Sequence, residues 1–278
     1  MDLRAAKSLN LEFLQQAIKW LVYSLLVINY VLYVREDLQA LAYTLPKSDV
    51  GFLDWTGAFR TTIDLAAWLL LIAFFEIETY FLSNDAARKT ELTLQGLRMV
   101  CYIALFHTLY ANIMALDDFA KVKSLPHISQ LCQFANEGVS YLSNVSYTDV
   151  TLENCASLGR GSEWFSIYNG DVVMDAGSFA GDHFLARVDL VECSTWLIIM
   201  GLIELNIRLQ ERGITKGALV SATHKIKTIL YLLLLSVCGY WAYVGLWLYA
   251  WDEFLWIAGF AAIEMNLSEW RDDIRAEA

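Results

Sequence analysis

Arg60 to Leu82 reads RTTIDLAAWLLLIAFFEIETYFL. From Ile63 to Leu82 the run is almost unbroken apolar sequence, and it has the length of about 20 residues that a helix needs to cross roughly 30 Å of hydrocarbon. Lipid offers the backbone no hydrogen-bond partners, so such a segment is predicted to satisfy them internally as a transmembrane helix. Four polar or aromatic landmarks punctuate the run: Asp64, Trp68, Glu76 and Glu78.

The same reading extends to five further stretches: Ala17 to Val34, Leu97 to Leu116, Leu190 to Leu209, Ile226 to Ala250, and a weaker one from Glu253 to Trp270, which Glu264 and Asn266 interrupt. The whole composition agrees. The 278 residues are 57% hydrophobic and 18% charged with only 2 prolines, which excludes disorder and an ordinary soluble domain. Ten Trp suit interfacial anchoring. A net charge of −11 leaves no basic surface to neutralise a phosphate backbone, so no nucleic-acid partner is expected.

Positive charge in the loops sets the expected orientation, because cytoplasmic loops retain Lys and Arg. Of 20 such residues, 13 fall on the side of both termini, among them Arg88, Lys89, Arg212 and Lys216. The other side carries 7 bases against an excess of acids such as Glu36, Asp37, Asp117 and Asp118. Both termini are therefore expected in the cytoplasm, in a multi-pass protein of the bacterial inner-membrane type. Met1 to Gln16 lacks the form of a signal peptide, and the first span is expected to act as its own insertion signal.

The landmarks of the quoted stretch recur. Asp64, Trp68, Glu76 and Glu78 are matched in register by Glu192, Trp196, Glu204 and Asn206, and by Asp252, Trp256, Glu264 and Asn266. The intervening spans share a base with a Tyr four residues on: Lys19 and Tyr23, Arg98 and Tyr102, Lys227 and Tyr231. Repetition at fixed register is the mark of a duplicated unit. The fold class predicted is an all-α membrane protein of six transmembrane helices, arranged as three tandem two-helix hairpin repeats in a pseudo-threefold bundle. A small extracytoplasmic domain is inserted between helices 3 and 4. The predicted divisions are a cytoplasmic amphipathic N-terminus (1–16), repeat 1 (17–83), repeat 2 (97–209) with the insertion at 117–189, repeat 3 (226–271) and a cytoplasmic tail (272–278).

Three tandem two-helix repeats look like the mitochondrial carriers. Those carriers kink their odd helices with a Pro-x-Asp/Glu motif, whereas Pro46 and Pro126 here both fall in loops.

A carboxylate within hydrocarbon is costly unless paired, neutralised or hydrated. Glu76, Glu78, Glu204 and Glu264 are the expected intramembrane acid cluster. Lys19, Tyr23, Arg98, Tyr102, Lys227 and Tyr231 are the expected partners, clamping the acids from neighbouring helices. At about 100° per residue, Asp64, Glu192 and Asp252 would form an outer acidic ring. Trp68, Trp196 and Trp256 would form a central aromatic layer that closes the bundle axis.

In the insertion, Cys132 and Cys155 are expected to close a disulfide in an oxidising compartment. Trp164 to Tyr168 and Val172 to Met174, joined by Asn169-Gly170-Asp171, read as a β-hairpin. Asn144-Val145-Ser146 has the form of a glycosylation sequon.

His107 is the single histidine well inside a span and is expected to be bonded across helices rather than to ligate haem, so no cofactor is expected. Asp117 and Asp118 suggest either a solvated membrane edge or an oxygen-rich site for a divalent ion, and the identity of any metal stays open. Walker, zinc-helix, Cys-x-x-Cys and nucleophile-elbow patterns are absent, so no enzyme is expected.

The function expected is conduction, exchange or sensing of a small cation, a proton or a metal ion, through an acid-lined bundle. The alternative is a non-catalytic structural or assembly subunit of a membrane complex, binding partners through the extracytoplasmic domain or through lipid-facing aromatics; a membrane-protein partner or a homo-oligomer is expected in either case.

Overall fold

The computed structural model describes residues 3–45, 49–80, 88–135, 137–159, 161, 163–168, 171–214 and 216–260. It is 76% helical, as an all-α membrane protein should be. The long helices are α1 (Leu3–Thr44), α3 (Arg60–Tyr80), α4 (Arg88–Ala120), α6 (Ala176–Glu211) and α7 (Ala218–Tyr243). A short α2 (Phe52–Ala58) precedes α3, and a further helix, α8, covers residues 247–260. Among the described residues, four helices are long and apolar enough to cross a membrane, in the segments Gln16–Thr44, Leu92–Ala120, Ala176–Gln210 and Ala218–Tyr243. The α2–α3 pair, bent by 73°, makes a fifth if the two are counted as one broken span. Most of the sixth expected span, from residue 261 on, lies outside the described residues.

Several boundaries differ from the sequence reading. α1 is one helix of 42 residues with neither Gly nor Pro, about 63 Å of rise, so the segment expected as a separate N-terminus continues into the span. α7 stops at Tyr243, inside the run expected to continue to Ala250. The reason is Gly245, at φ 85°: Leu246 N–H donates to Trp241 O (2.9 Å) and Gly245 N–H to Ala242 O (3.3 Å). This is a Schellman stop, which wants a residue with positive φ just past the helix. Asp252, expected in a connector, is therefore on the second turn of α8.

The insertion is narrower than 117–189, because α4 runs on to Ala120 and α6 begins at Ala176. Between them lie β1 (Lys123–Ser124), β2 (Ser140–Ser143), β3 (Ser146–Asp149), β4 (Trp164–Ile167) and β5 (Val172–Asp175), with a 3-10 turn at Leu131–Phe134 and a one-turn helix α5 (Cys155–Leu158). The strands form one sheet in the order β1-β4-β5-β2-β3. β4 and β5 pair antiparallel, Phe165 opposite Met174, as the expected hairpin. The β2–β5 pairing is parallel.

Both faces of the sheet are covered, since successive residues of β5 alternate sides and yet Val172, Val173 and Met174 are all fully buried. Val173 packs with Trp164, Tyr141 and Cys155 under the segment that the Cys132–Cys155 disulfide closes (Cα to Cα 4.9 Å). Val172 and Met174 pack with Phe119 of α4 and Phe179 of α6, so this face sits on helix ends.

By contact density the chain divides into two units, residues 33–197 and residues 1–32 with 198–278, the division falling within α1 and α6.

Candidate functional site

In the unit of residues 33–197, polar side chains gather where α1, α3, α4 and α6 emerge toward the sheet. α3 begins at Arg60, and its first turn is capped from α1: Asp37 Oδ2 accepts from Thr62 N (2.9 Å) and from Thr62 Oγ1 (2.7 Å). A carboxylate at a helix N-terminus satisfies donors that have no partner within the helix. The Arg60 guanidinium lies within electrostatic reach of Asp37, Asp118 and Asp189, and of the phenols of Tyr147 and Tyr168 above them. One cation thus serves three helices and the sheet.

One turn deeper on α3, Asp64 accepts hydrogen bonds from Thr108 of α4 and from Trp68 on its own helix. Both donors are neutral. Beside it, the Cys193 thiol of α6 is hydrogen-bonded with Asn112, and Asp64, Glu192 and Asp189 lie around it. Asn112 and Thr108 are buried. Trp68 and Trp196, also buried, meet edge to face at 6.2 Å between ring centroids. Two acids of the expected outer ring and two Trp of the expected aromatic layer are therefore close together on α3 and α6.

The acid and Trp expected as the third copy, Asp252 and Trp256, belong to the other unit. There Asn29, on α1 and fully buried, donates from Nδ2 to Asp252 Oδ1 of α8 (2.5 Å). Glu253 is buried as well, and so is Trp256, whose ring lies 6.2 Å from that of Phe260.

The remaining expected residues are placed as follows. Glu76 is partly buried on α3, and Glu78 lies on the last turn of the same helix. Glu204 pairs with Arg208 one turn on along α6 (2.9 Å). At that level the buried bond between helices is made by the next polar residue, Thr223 Oγ1 of α7 donating to Asn206 Oδ1 (2.8 Å). Lys227 of α7 is buried and Tyr231 partly so. Lys19 sits 5.8 Å from the ring centre of Tyr23. Arg98 and Tyr102 are partly buried on α4. Glu264 and Asn266 lie outside the described residues.

His107 Nε2 lies 2.8 Å from Thr56 Oγ1, which ties the bent α2 to α4 and is the kind of bond across helices expected of it. Asp117 and Asp118 both pair with Lys121, at 2.6 and 3.5 Å. Among the described residues no group of three or more His, Cys, Asp or Glu could hold a metal ion.

The sequence reading missed Asp37, Arg60, Asn29 and Asn112. Arg60 opens the very stretch that decides the fold, and the Thr-Thr after it, ahead of an apolar run, is a helix-start signal. Asn29 and Asn112 each interrupt an apolar run, which is the signal that picked out the acids.

Searches of protein-family models, curated proteins and solved structures find no match to this chain.

Proposed function

We propose that this polytopic membrane protein handles a small cation through the carboxylates enclosed among its spanning helices. The observation that carries the reading is Asp64, within an apolar helix and held by two neutral donors, Thr108 and Trp68. Neutral donors orient a carboxyl group without cancelling its charge. Such an acid must either take up a proton or balance a passing cation. Cys193, Asn112 and Asp189 continue the polar path from Asp64 toward Arg60 and the water-facing sheet. In this proposal both termini are cytoplasmic and the inserted domain faces the outside of a bacterial inner membrane. The loop charges support that orientation, and so does the disulfide, because such bonds persist on the oxidising side.

The test is flux in reconstituted vesicles, with proton, Na⁺, K⁺ and Ca²⁺ measured separately. Wild type is expected to carry at least one of these ions above the lipid leak. Asp64→Asn, which keeps the shape and one acceptor oxygen while removing the charge, is expected to lower that flux tenfold or more while the protein still runs as a monodisperse species. Flux at the lipid baseline for every ion overturns the reading and favours a scaffolding subunit that works through its inserted domain.

A further inference from the structure

We infer that Asn29 and Asp252 form an intramembrane proton-binding site. Asn29 lies ten residues along α1 from Lys19, about 15 Å of rise, among apolar residues. Its side chain is 0% exposed. One edge of the amide, Nδ2, meets Asp252 Oδ1, and the other edge, Oδ1, has no hydrogen-bond partner among the described residues. Leaving a buried carbonyl oxygen without a donor costs about 1–3 kcal/mol, and an ionised carboxylate carries no hydrogen with which to relieve it.

One proton on Asp252 supplies what is missing. The carboxylate takes a proton delivered by water, an O–H bond forms on Oδ2, and the hydroxyl donates to Asn29 Oδ1. The two groups then close a ring of two hydrogen bonds, amide N–H to acid carbonyl and acid O–H to amide oxygen, with no charge left in the apolar interior.

Titratable groups near this site among the described residues include Glu253 on the same helix, 1% exposed, and Cys238 of α7. The Cys238 thiol donates to Ala250 O (3.3 Å) and lies within electrostatic reach of Glu253. Along α1 the nearest titratable residue in sequence is Tyr30. Gly259, one turn past Trp256, faces Val22 of α1, where a Cβ would make an ordinary contact at 3.5 Å from Val22 Cγ1.

The inference rests on the reading that these helices cross a membrane, and it requires no flux. Infrared spectroscopy of the full chain in nanodiscs reads the C=O stretch of a protonated carboxyl group whether or not the protein transports anything. A silent flux assay and an absent band are thus separate failures. The difference spectrum of wild type minus Asp252→Asn at neutral pH is expected to contain a protonated-acid band. Asn29→Leu is expected to move that band to higher frequency, as the hydrogen bond to the acid is lost, and Glu253→Gln is expected to leave it in place. Asp252→Asn retains a donor for Asn29 Oδ1 and is expected to melt within a few degrees of wild type. The inference is overturned if the difference spectrum lacks the band throughout about pH 5 to 9, or if Asn29→Leu leaves its frequency unchanged.

Discussion

Val145 adopts a backbone conformation that a β-branched residue rarely takes. Asn144 and Val145 form the two-residue turn between β2 and β3 with φ of 52° and 55°, the twist a tight hairpin requires. Nothing in the Val side chain favours it. The compensation comes from α6: the buried Asp182 accepts from Asn144 N (3.1 Å) and Val145 N (2.6 Å), so that two backbone donors converge on one carboxylate. Val145→Gly is expected to stabilise the inserted domain by about 1 kcal/mol, read as a higher melting temperature in detergent. Asp182→Ala is expected to cost about 2 kcal/mol or more by leaving both donors without a partner. If both variants melt with wild type, the turn holds no strain.

Tyrosines give a second prediction at the same scale. Burial, and then the Tyr168 hydroxyl beside it, hold the Tyr147 phenol well above its ordinary value of 10.0. Burial raises Tyr168 too. These groups are neutral when protonated, and their folded values lie above the unfolded ones. Their contribution to stability is therefore complete below about pH 10 and is lost as pH rises through the folded values. Tyrosinate absorbance is expected to climb together with loss of the domain's fold in wild type. Removing both phenols, with Tyr147→Phe and Tyr168→Phe, is expected to move that alkaline transition upward; an unmoved transition would refute the assignment.

At the level of elements, the disulfide closes the segment lying over one face of the sheet, the two cysteines standing 23 positions apart in the sequence. Replacing both Cys132 and Cys155 with Ala is expected to lower stability by roughly 3 kcal/mol, measured by thermal unfolding with the flanking helices intact. This element was legible in the sequence because it depends on local signals: two cysteines outside the apolar runs, and an Asn-Gly turn between strand-like segments. α2 was not. Its seven residues are too few for a period to show, and its place depends on Thr56 reaching His107, a partner 51 residues away. The helix stop at Gly245 was in principle readable. It was overridden by the apolar residues on either side, which signal burial in lipid and say nothing of where a helix bends.

For the molecule as a whole, apolar runs of spanning length decided the class of fold, since the bilayer imposes one rule on every such run. Partnerships between helices were harder to read. The acids were found because charge inside an apolar run is conspicuous. Their neutral partners Thr108, Asn112 and Asn29 depend on which helix faces which, and a repeat pattern does not encode that. Arg60 is the clearest case of a role created by assembly, with Asp37, Asp118 and Asp189 brought to it from three helices. Arg60→Gln is expected to destabilise the folded protein by roughly 1–3 kcal/mol, with partial recovery in Arg60→Lys. A variant as stable as wild type would mean that the acids are balanced by other groups.

α6 has neither Gly nor Pro between Asp182 and Trp196, so this stretch behaves as a stiff rod. Near one end Asp182 grips the β2–β3 turn, and eleven residues on, about 16 Å away, Cys193 stands beside Asp64. Spinning the rod by a single position, about 100°, would break its hold on the hairpin. The sheet thereby serves as a keyway, fixing which side of α6 is presented to Asp64.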